Sequence, residues 1–510
     1  MNLKCIVLAG FVLTSAAVVV GAPIPATSTE AYDSQVTLPG SPFGVAWGFL
    51  YGYLDAKAEV FMPQVRRMGG GFSKVYLFWN QIEPQKGQYD WTAVDAFVGQ
   101  LKTPDEGLIA LFCSSRWATR QSAAILPPTP ATNLDDYYQF VTTLVKHCRG
   151  KVRYWQNDAE PNNPIYWSGT KEEFVRQLKV FYKAVKDADP SAIVIVGGYD
   201  GLFGPPGFYQ FPAQKAGLDF FDCVLKEGRD VFDVFDLRLY ADPYSIVPRV
   251  EYMRQKMRAL GYDKPIICTE YDGPGFYEFP ANLKYVSLLS PWTQSVLQTG
   301  SNGFPSRDHS GSNQIAKLYT EINSLAPETQ MFLLRCSPEL EAKHDRIQAR
   351  DLVMRNIFAF SAGVQKTLYW QLLDLRKNPN DLTTLMYGKI GLLGYENGLL
   401  QKRFPTADAY QRMTTALGGV RSVKRVEIPS RPSIYLFAVE RRDRGPLYVV
   451  WERRDAFTGE DLPPVPFDFA SAAAAATATD ALGKDVPVQV ANGKIHLAVS
   501  LTPIFIELSR

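Results

Sequence analysis

Eight short apolar runs alternate with longer stretches of helical period along this chain, and that alternation constrains the fold more tightly than any other feature. The runs are FGVAW (43–47), SKVYLF (73–78), LIALFC (108–113), VRYWQN (152–157), AIVIVG (192–197), FDVFDLRLY (232–240), PIICTE (265–270) and KTLYWQ (366–371). Most are almost continuously apolar, as strands covered on both faces must be. Between them lie amphipathic stretches such as LDDYYQFVTTLVKHC and KEEFVRQLKVFYKAVKDADP. The second ends in Asp-Pro, where proline has no amide with which to continue a helix. Such alternation predicts a parallel sheet with covering helices. Eight units in series favour closure into a (β/α)8 TIM barrel over an open doubly wound sheet, and no GxGxxG follows the first run.

Past about Val420 the pattern changes to short alternating strands, SIYLFAVERR, PLYVVWERR, KIHLAVS and PIFIELS among them, with turn residues between. They predict a C-terminal antiparallel β-sandwich domain. The segment ASAAAAATATDALGK is rich in alanine, but its β-branched threonines and closing glycine suit a strand leading into a turn. A chain of 510 residues has room for both parts. The division reads as residues 1–22 signal, 23–40 N-terminal lead, 41–420 barrel and 421–510 β domain, the last either covering the barrel's flank or assisting substrate binding. The interval from Tyr271 to about Asp345 is far longer than an ordinary strand-to-helix loop and belongs on the barrel's C-terminal face. Its aromatics Phe276, Tyr277, Phe279 and Trp292 either wall a cleft or pack a small core of the loop's own.

Met1 to about Ala22 has the build of a secretory leader, with Lys4, an apolar stretch from Ile6 to Val20 and small residues at Val20-Gly21-Ala22. It predicts a secreted or periplasmic protein whose mature chain has no membrane span. The net charge of +2 and the lack of a basic cluster exclude an electrostatic footprint for nucleic acid. Outside the leader, Cys113, Cys148, Cys223, Cys268 and Cys336 are odd in number and irregular in spacing, so no disulfide framework is expected, and Cys113 and Cys268 read as small buried residues. The four histidines, His147, His309, His344 and His496, lack metal-ligand spacing, and no GxSxG occurs. No metal or cofactor is expected. The abundance of Tyr, Phe and Trp points weakly toward sugar rings, which stack on aromatic faces.

Chemistry is expected at the C-terminal ends of the strands. Glu160 follows the fourth run in YWQNDAEPN, and Glu270 ends the seventh in KPIICTEY. Glycoside cleavage with retention requires two carboxyl groups about 5–5.5 Å apart, one to protonate the leaving oxygen and one to attack the anomeric carbon. A barrel places two such groups together only from strand ends.

At these residues the chain resembles clan A of the glycoside hydrolases, in which the acid/base Glu ends strand four in an Asn-Glu-Pro context and the nucleophile Glu ends strand seven. The resemblance extends through FWNQIEPQKGQYDWTAVDAFV (78–98) and FCSSRWA (112–118), and with the β tail it looks most like family 39 and its neighbours, β-xylosidases among them. It implies Glu160 as acid/base and Glu270 as nucleophile. Tyr240 looks like the tyrosine that holds the nucleophile and Trp370 like the floor of the −1 subsite. Lys74, Trp117, Asn162 and Arg238 join them as substrate-binding candidates, while Trp79, Glu83 and Trp91 read as framework.

Three positions depart from the clan. Ala159 stands where Asn usually precedes the acid/base, removing a hydrogen bond to the sugar 2-hydroxyl and implying a weak enzyme or a different 2-substituent. Lys74 replaces a common Arg, giving up the planar fork. Arg238 stands where His is frequent. Either it pairs with an acid such as Asp236 or Asp272, or it binds a carboxylate or sulfate on an acidic sugar.

The mechanism implied is a double displacement in which Glu160, its pKa raised, starts protonated, and Tyr240 orients Glu270. The partner is then a carbohydrate, an oligo- or polysaccharide. Two rivals use the same residues: a barrel that has lost turnover and binds glycans, and a transglycosidase.

Overall fold

The computed structural model describes residues 37–48, 61–199, 212–288, 312–374, 379, 382–396, 399–442 and 444–509. The leader, Trp292 and His309 lie outside them. Eight strands alternate with eight helices: β1 (Phe43–Ala46), α1 (Phe61–Arg67), β2 (Phe72–Phe78), α2 (Thr92–Val98), β3 (Glu106–Phe112), α3 (Leu134–His147), β4 (Val152–Asn157), α4 (Lys171–Ala188), β5 (Ile193–Tyr199), α5 (Pro212–Glu227), β6 (Val234–Leu237), α6 (Ile246–Ala259), β7 (Ile266–Tyr271), α7 (Pro338–Ser361), β8 (Thr367–Trp370) and α8 (Pro405–Ala416). The strands are parallel and close on themselves, β1 pairing with both β2 and β8. Every one of the eight runs read from the sequence supplies a strand. FDVFDLRLY is the least complete, with only Val234–Leu237 in regular structure. Helix starts follow from local chemistry: the Asn133 side chain accepts from the amides of Asp135 and Asp136, and Thr170 with Glu173 forms a reciprocal cap at the head of α4.

The period of two sorts the strand residues between two apolar layers. On β2, Phe72, Tyr76 and Phe78 point into the barrel, whereas Val75 and Leu77 face the helices; β3 repeats this with Leu108, Ala110 and Phe112 inside and Ile109 and Leu111 outside. The barrel's N-terminal end is closed by an ion pair of Lys366 with Glu106 at 2.8 Å, while Tyr154 reaches the Pro39 carbonyl in the lead segment. Lys74, Gln156, Asp236 and Thr269 are fully buried polar residues of the strands, and they gather around the groups that carry the chemistry.

A hairpin of β9 (Leu393–Glu396) and β10 (Leu399–Arg403) follows β8. Eight further antiparallel strands form the β domain: β11 (Val420–Val426), β12 (Ile434–Arg441), β13 (Leu447–Glu452), β14 (Val465–Ala470), β15 (Ala475–Asp480), β16 (Val488–Ala491), β17 (Lys494–Val499) and β18 (Ile504–Ser509). They make a five-stranded sheet, β11-β12-β13-β18-β15, and a three-stranded sheet, β14-β17-β16. The alanine-rich segment is strand β15 running into a turn, as its threonines and glycine indicated.

Alternation along β12 shows how the larger sheet serves two cores. Ile434 and Leu436 pack with Phe467, Ile495 and Leu497 of the smaller sheet, while Phe437 and Val439 join the core shared with the barrel helices. There Phe358 of α7 meets Tyr435, Phe437 and Trp451 edge-on, at ring separations of 5.6, 5.7 and 5.4 Å. Trp451 also donates to the Tyr244 hydroxyl at 2.9 Å. The β domain thus lies on the barrel's flank. Phe358→Ala would leave a cavity among three aromatic rings in a packed interface. We expect it to destabilise the protein by about 3–5 kcal/mol, measured by urea unfolding; a loss under about 1 kcal/mol would mean the two parts do not depend on this contact.

The interval after β7 carries structure of its own, with helices at Ser312–Thr320 and Pro327–Gln330 before α7 begins at Pro338. Phe276 and Phe279 are buried with Ile315, Leu318, Met331, Phe332 and Leu333. These two aromatics therefore pack a core that the loop shares with Ile347, Leu382, Leu385 and Phe457. Among the described residues all five cysteines are free, Cys113 and Cys268 being fully buried, and no helix is long and apolar enough to cross a membrane.

Candidate active site

The end of β4 turns sharply. Asp158 and Glu160 both have positive φ, 53° and 54°, a backbone region that costs residues with a β-carbon about 1 kcal/mol or more. The two turns send neighbouring acids in opposite directions. Asp158 points outward, its Oδ1 accepting from the Cys113 amide at 3.0 Å, while Glu160 points to the barrel mouth.

At the end of β7 the pairing register with β8 shifts between Cys268 and Tyr271. Strict alternation would put Thr269 and Glu270 on opposite faces, and the shift lets both reach the interior. Glu270 is 5% exposed and Glu160 9%. Glu270 Oε1 takes Lys74 Nζ at 2.8 Å, the Tyr76 hydroxyl and the Arg238 guanidinium, whose Nη2 is 2.7 Å away. Oε2 accepts from the Tyr240 hydroxyl at 2.9 Å. The same Arg238 donates from Nε to Glu160 Oε1 at 3.0 Å and from Nη1 to Asp236 Oδ2 at 2.6 Å. Asp236 is fixed in turn by Gln156 and by the Thr269 amide and hydroxyl.

Burial by itself would raise the Glu270 carboxyl, but Arg238 and then Lys74 overcome that and hold it down at about 2. It is therefore ionised throughout the neutral and mildly acidic range. Because this pKa is depressed, its contribution to stability is present above the unfolded value and lost only as pH falls toward 2. Burial, with Arg238 next, lowers Lys74 from its ordinary value.

The structure brings Glu160, Glu270, Lys74, Arg238 and Tyr240 together. Arg238 has the Asp236 partner that the plainer of its two readings named, and Lys74 spends its donors on Glu270 and Thr269. Trp370 ends β8 partly exposed, its ring edge-on to Tyr387 at 5.2 Å. Asn162 lies beside Gly217 of α5. Trp117 is tied into the framework: it donates to the Glu83 carbonyl at 2.9 Å and packs edge-on to Trp79, whose indole donates to the Glu83 carboxylate at 2.7 Å. His147 stacks on Trp91 at 3.9 Å and pairs with Asp95, and no group of described residues could hold a metal ion.

Sequence reading missed Tyr76, Gln156 and Thr269. Tyr76 had a usable signal, since it stands two residues after Lys74 and so shares its face of β2. Thr269 had none, because its role depends on the register shift.

Asp158 carries a separate consequence. Burial pushes its carboxyl up to about 8 against the single Cys113 amide bond, and its Oδ2 has no hydrogen-bond partner among the described residues. The unfolded value is about 3.9, so the uncharged form is favoured in the fold, and stability present below pH 4 is lost as pH rises toward 8. Asp158→Asn is neutral at every pH. Relative to the parent it should gain stability between pH 4.5 and pH 8, on the order of a few kcal/mol. Urea midpoints at the two pH values that change in parallel for both proteins would contradict this.

No family model and no curated protein matches the chain. Among solved structures, a family 39 glycoside hydrolase from the gut symbiont Bacteroides cellulosilyticus WH2 is 15% identical, with a TM-score of 0.59 over 92% of this chain and 81% of that one. An endo-β1,6-glucanase is 9% identical, with a TM-score of 0.51 over 93% and 92%. A family 30 subfamily 8 xylanase from Clostridium acetobutylicum is 12% identical, with a TM-score of 0.50 over 92% and 96%. At these identities the likeness establishes the fold, a barrel with its β domain.

Proposed function

We propose that this protein is a retaining glycoside hydrolase that cleaves β-linked glycosides or polysaccharides through Glu270 as nucleophile and Glu160 as acid/base. The observation that carries the proposal is that both glutamates, from the ends of β4 and β7, contact one guanidinium. Nε and Nη2 share one edge of a planar group, and with Glu160 3.0 Å from the first and Glu270 2.7 Å from the second, the two carboxyls sit on the same edge, which supports the short separation used in retention. The three structural neighbours, named for sugar hydrolysis, add support at the level of fold.

Glu270 Oε1 is held by hydrogen bonds from Lys74 and Tyr76 and by the Arg238 ion pair, whereas Oε2 accepts only from Tyr240 among the described residues, which makes Oε2 the attacking oxygen. In the first step Oε2 bonds to the anomeric carbon as the glycosidic C–O bond breaks and Glu160 gives its proton to the departing oxygen. In the second, Glu160 takes a proton from water, whose oxygen displaces Glu270.

The test is a panel of aryl β-glycosides, neutral and uronic, followed by natural polysaccharides, with the first-formed anomer identified by proton NMR. The β-anomer as first product supports the reading. The α-anomer rejects retention. Saturable sugar binding without product favours the glycan-binding alternative, and transfer to added acceptor sugars favours a transglycosidase. We further propose export, on the strength of the leader; recovery of the uncleaved chain from the cytoplasm alone would overturn it.

A further inference from the structure

Three acidic side chains converge on Arg238, which is 1% exposed. Asp236, fixed by Gln156 and Thr269, holds Nη1 at 2.6 Å; Nε and Nη2 are left to Glu160 and Glu270. With one corner anchored, a planar guanidinium cannot swing, so its remaining edge sets the two glutamates against each other.

Room for the group comes from β5, where the register shifts between Val196 and Tyr199 around Gly197 and Gly198. A β-carbon on Gly198 would lie 2.5 Å from Arg238 Cζ, 2.6 Å from Nη1 and 2.7 Å from Asp236 Oδ2. Real β-carbons do not come so near, and these side chains, held by ion pairs, have nowhere to retreat. The arginine that follows β6 requires a glycine at this position.

The charge arithmetic of the proposed reaction gives the arrangement a purpose. At rest Glu270 is a carboxylate and Glu160 carries the proton. Once Glu270 is esterified to the sugar it is neutral, and Glu160, having given its proton to the leaving oxygen, is the carboxylate. The pair bears one negative charge in both states, but the charge has changed residue. Lys74 touches Glu270 and Thr269 and serves only the first state. Arg238 donates from Nε to Glu160 and holds Nη2 2.7 Å from Glu270 in an ion pair, so its charge serves both without moving.

We propose that Arg238 is a positioning residue that fixes the spacing of Glu160 and Glu270 and acts as counter-charge to each in turn, and that Gly198 is the space that admits it. This rests on the reading of the site as a retaining glycosidase, and the test separates the two.

Arg238→Lys keeps the charge and loses the fork; Gly198→Ala keeps the arginine and removes its room. In each, folded by circular dichroism, kcat should fall about 100-fold with KM changed only a few-fold, as expected when an oriented charge near the reacting atoms is lost. Guanidinium ion at millimolar concentration should restore part of the activity of Arg238→Ala. A second readout needs no substrate. With glutamate labelled at the carboxyl carbon, the Glu270 signal, assigned through Glu270→Gln, should titrate at least about one pH unit higher in both variants than in the parent. If kcat and this titration both stay at parental values in the folded variants, the proposal is overturned. If the titration moves but the parent hydrolyses no glycoside, the positioning role stands and the glycosidase reading falls.

Discussion

Glu270→Gln should reduce turnover of any aryl glycoside that the parent cleaves by at least about 10⁴-fold, with substrate binding retained. The amide matches the carboxylate in size, so Tyr240 keeps an oxygen or nitrogen at the Oε2 position, but the group has no charge with which to form the ester. Because Lys74 and Arg238 hold the parent carboxyl near 2, this residue is in its reactive form at every pH an assay would use. The acid limb of the parent's pH profile should therefore not report Glu270 above about pH 3. Steady-state kinetics with an activated aryl leaving group give the clearest reading. A variant that keeps more than about a hundredth of parental kcat would remove Glu270 from the chemistry.

Glu160→Ala has the second largest effect, and its signature is more informative than its size. Loss of the acid should slow cleavage by about 10²–10⁴-fold where the leaving group needs a proton, and much less for an activated phenol. With such a phenol the first displacement still occurs, and the glycosyl-enzyme accumulates because no base activates water. Azide needs no base, so it should accelerate turnover and give a glycosyl azide of the substrate's own β configuration. An α-azide would mean a single displacement and would reject the covalent intermediate. Absence of rescue in the folded variant would count against Glu160 as the base.

The three departures from the clan pattern gain a physical setting from the fold. Ala159 belongs to the apolar cluster that lines the barrel interior, so no donor toward a sugar 2-hydroxyl comes from this position. Lys74 read as a substrate contact and Arg238 as either that or a partner of Asp236, and in the fold their charges face Glu270, Glu160 and Asp236. A cation on a strand has no direction in a sequence. Its partner is whichever acid the barrel sets opposite, here 196 residues away for Lys74 and Glu270.

Much of the architecture was open to reading because its causes are local. A strand buried on both faces must be apolar along its length, and an amphipathic helix must repeat its apolar residues every three or four positions. Each requirement is met within one segment, so eight strands and their helices could be placed, and Glu160 and Glu270 with them at strand ends. The β domain declared itself by the same local alternation. What the tertiary structure alone decided depends on closure and on departures from regularity. The register shift on β7 turns both Thr269 and Glu270 inward, positive φ at Asp158 and Glu160 sends one acid outward and the other into the site, and Gly198 opens space on β5 for an arginine from β6. Each joins segments distant in the chain, and their energy comes from burial and charge pairing that exist only after the barrel has closed.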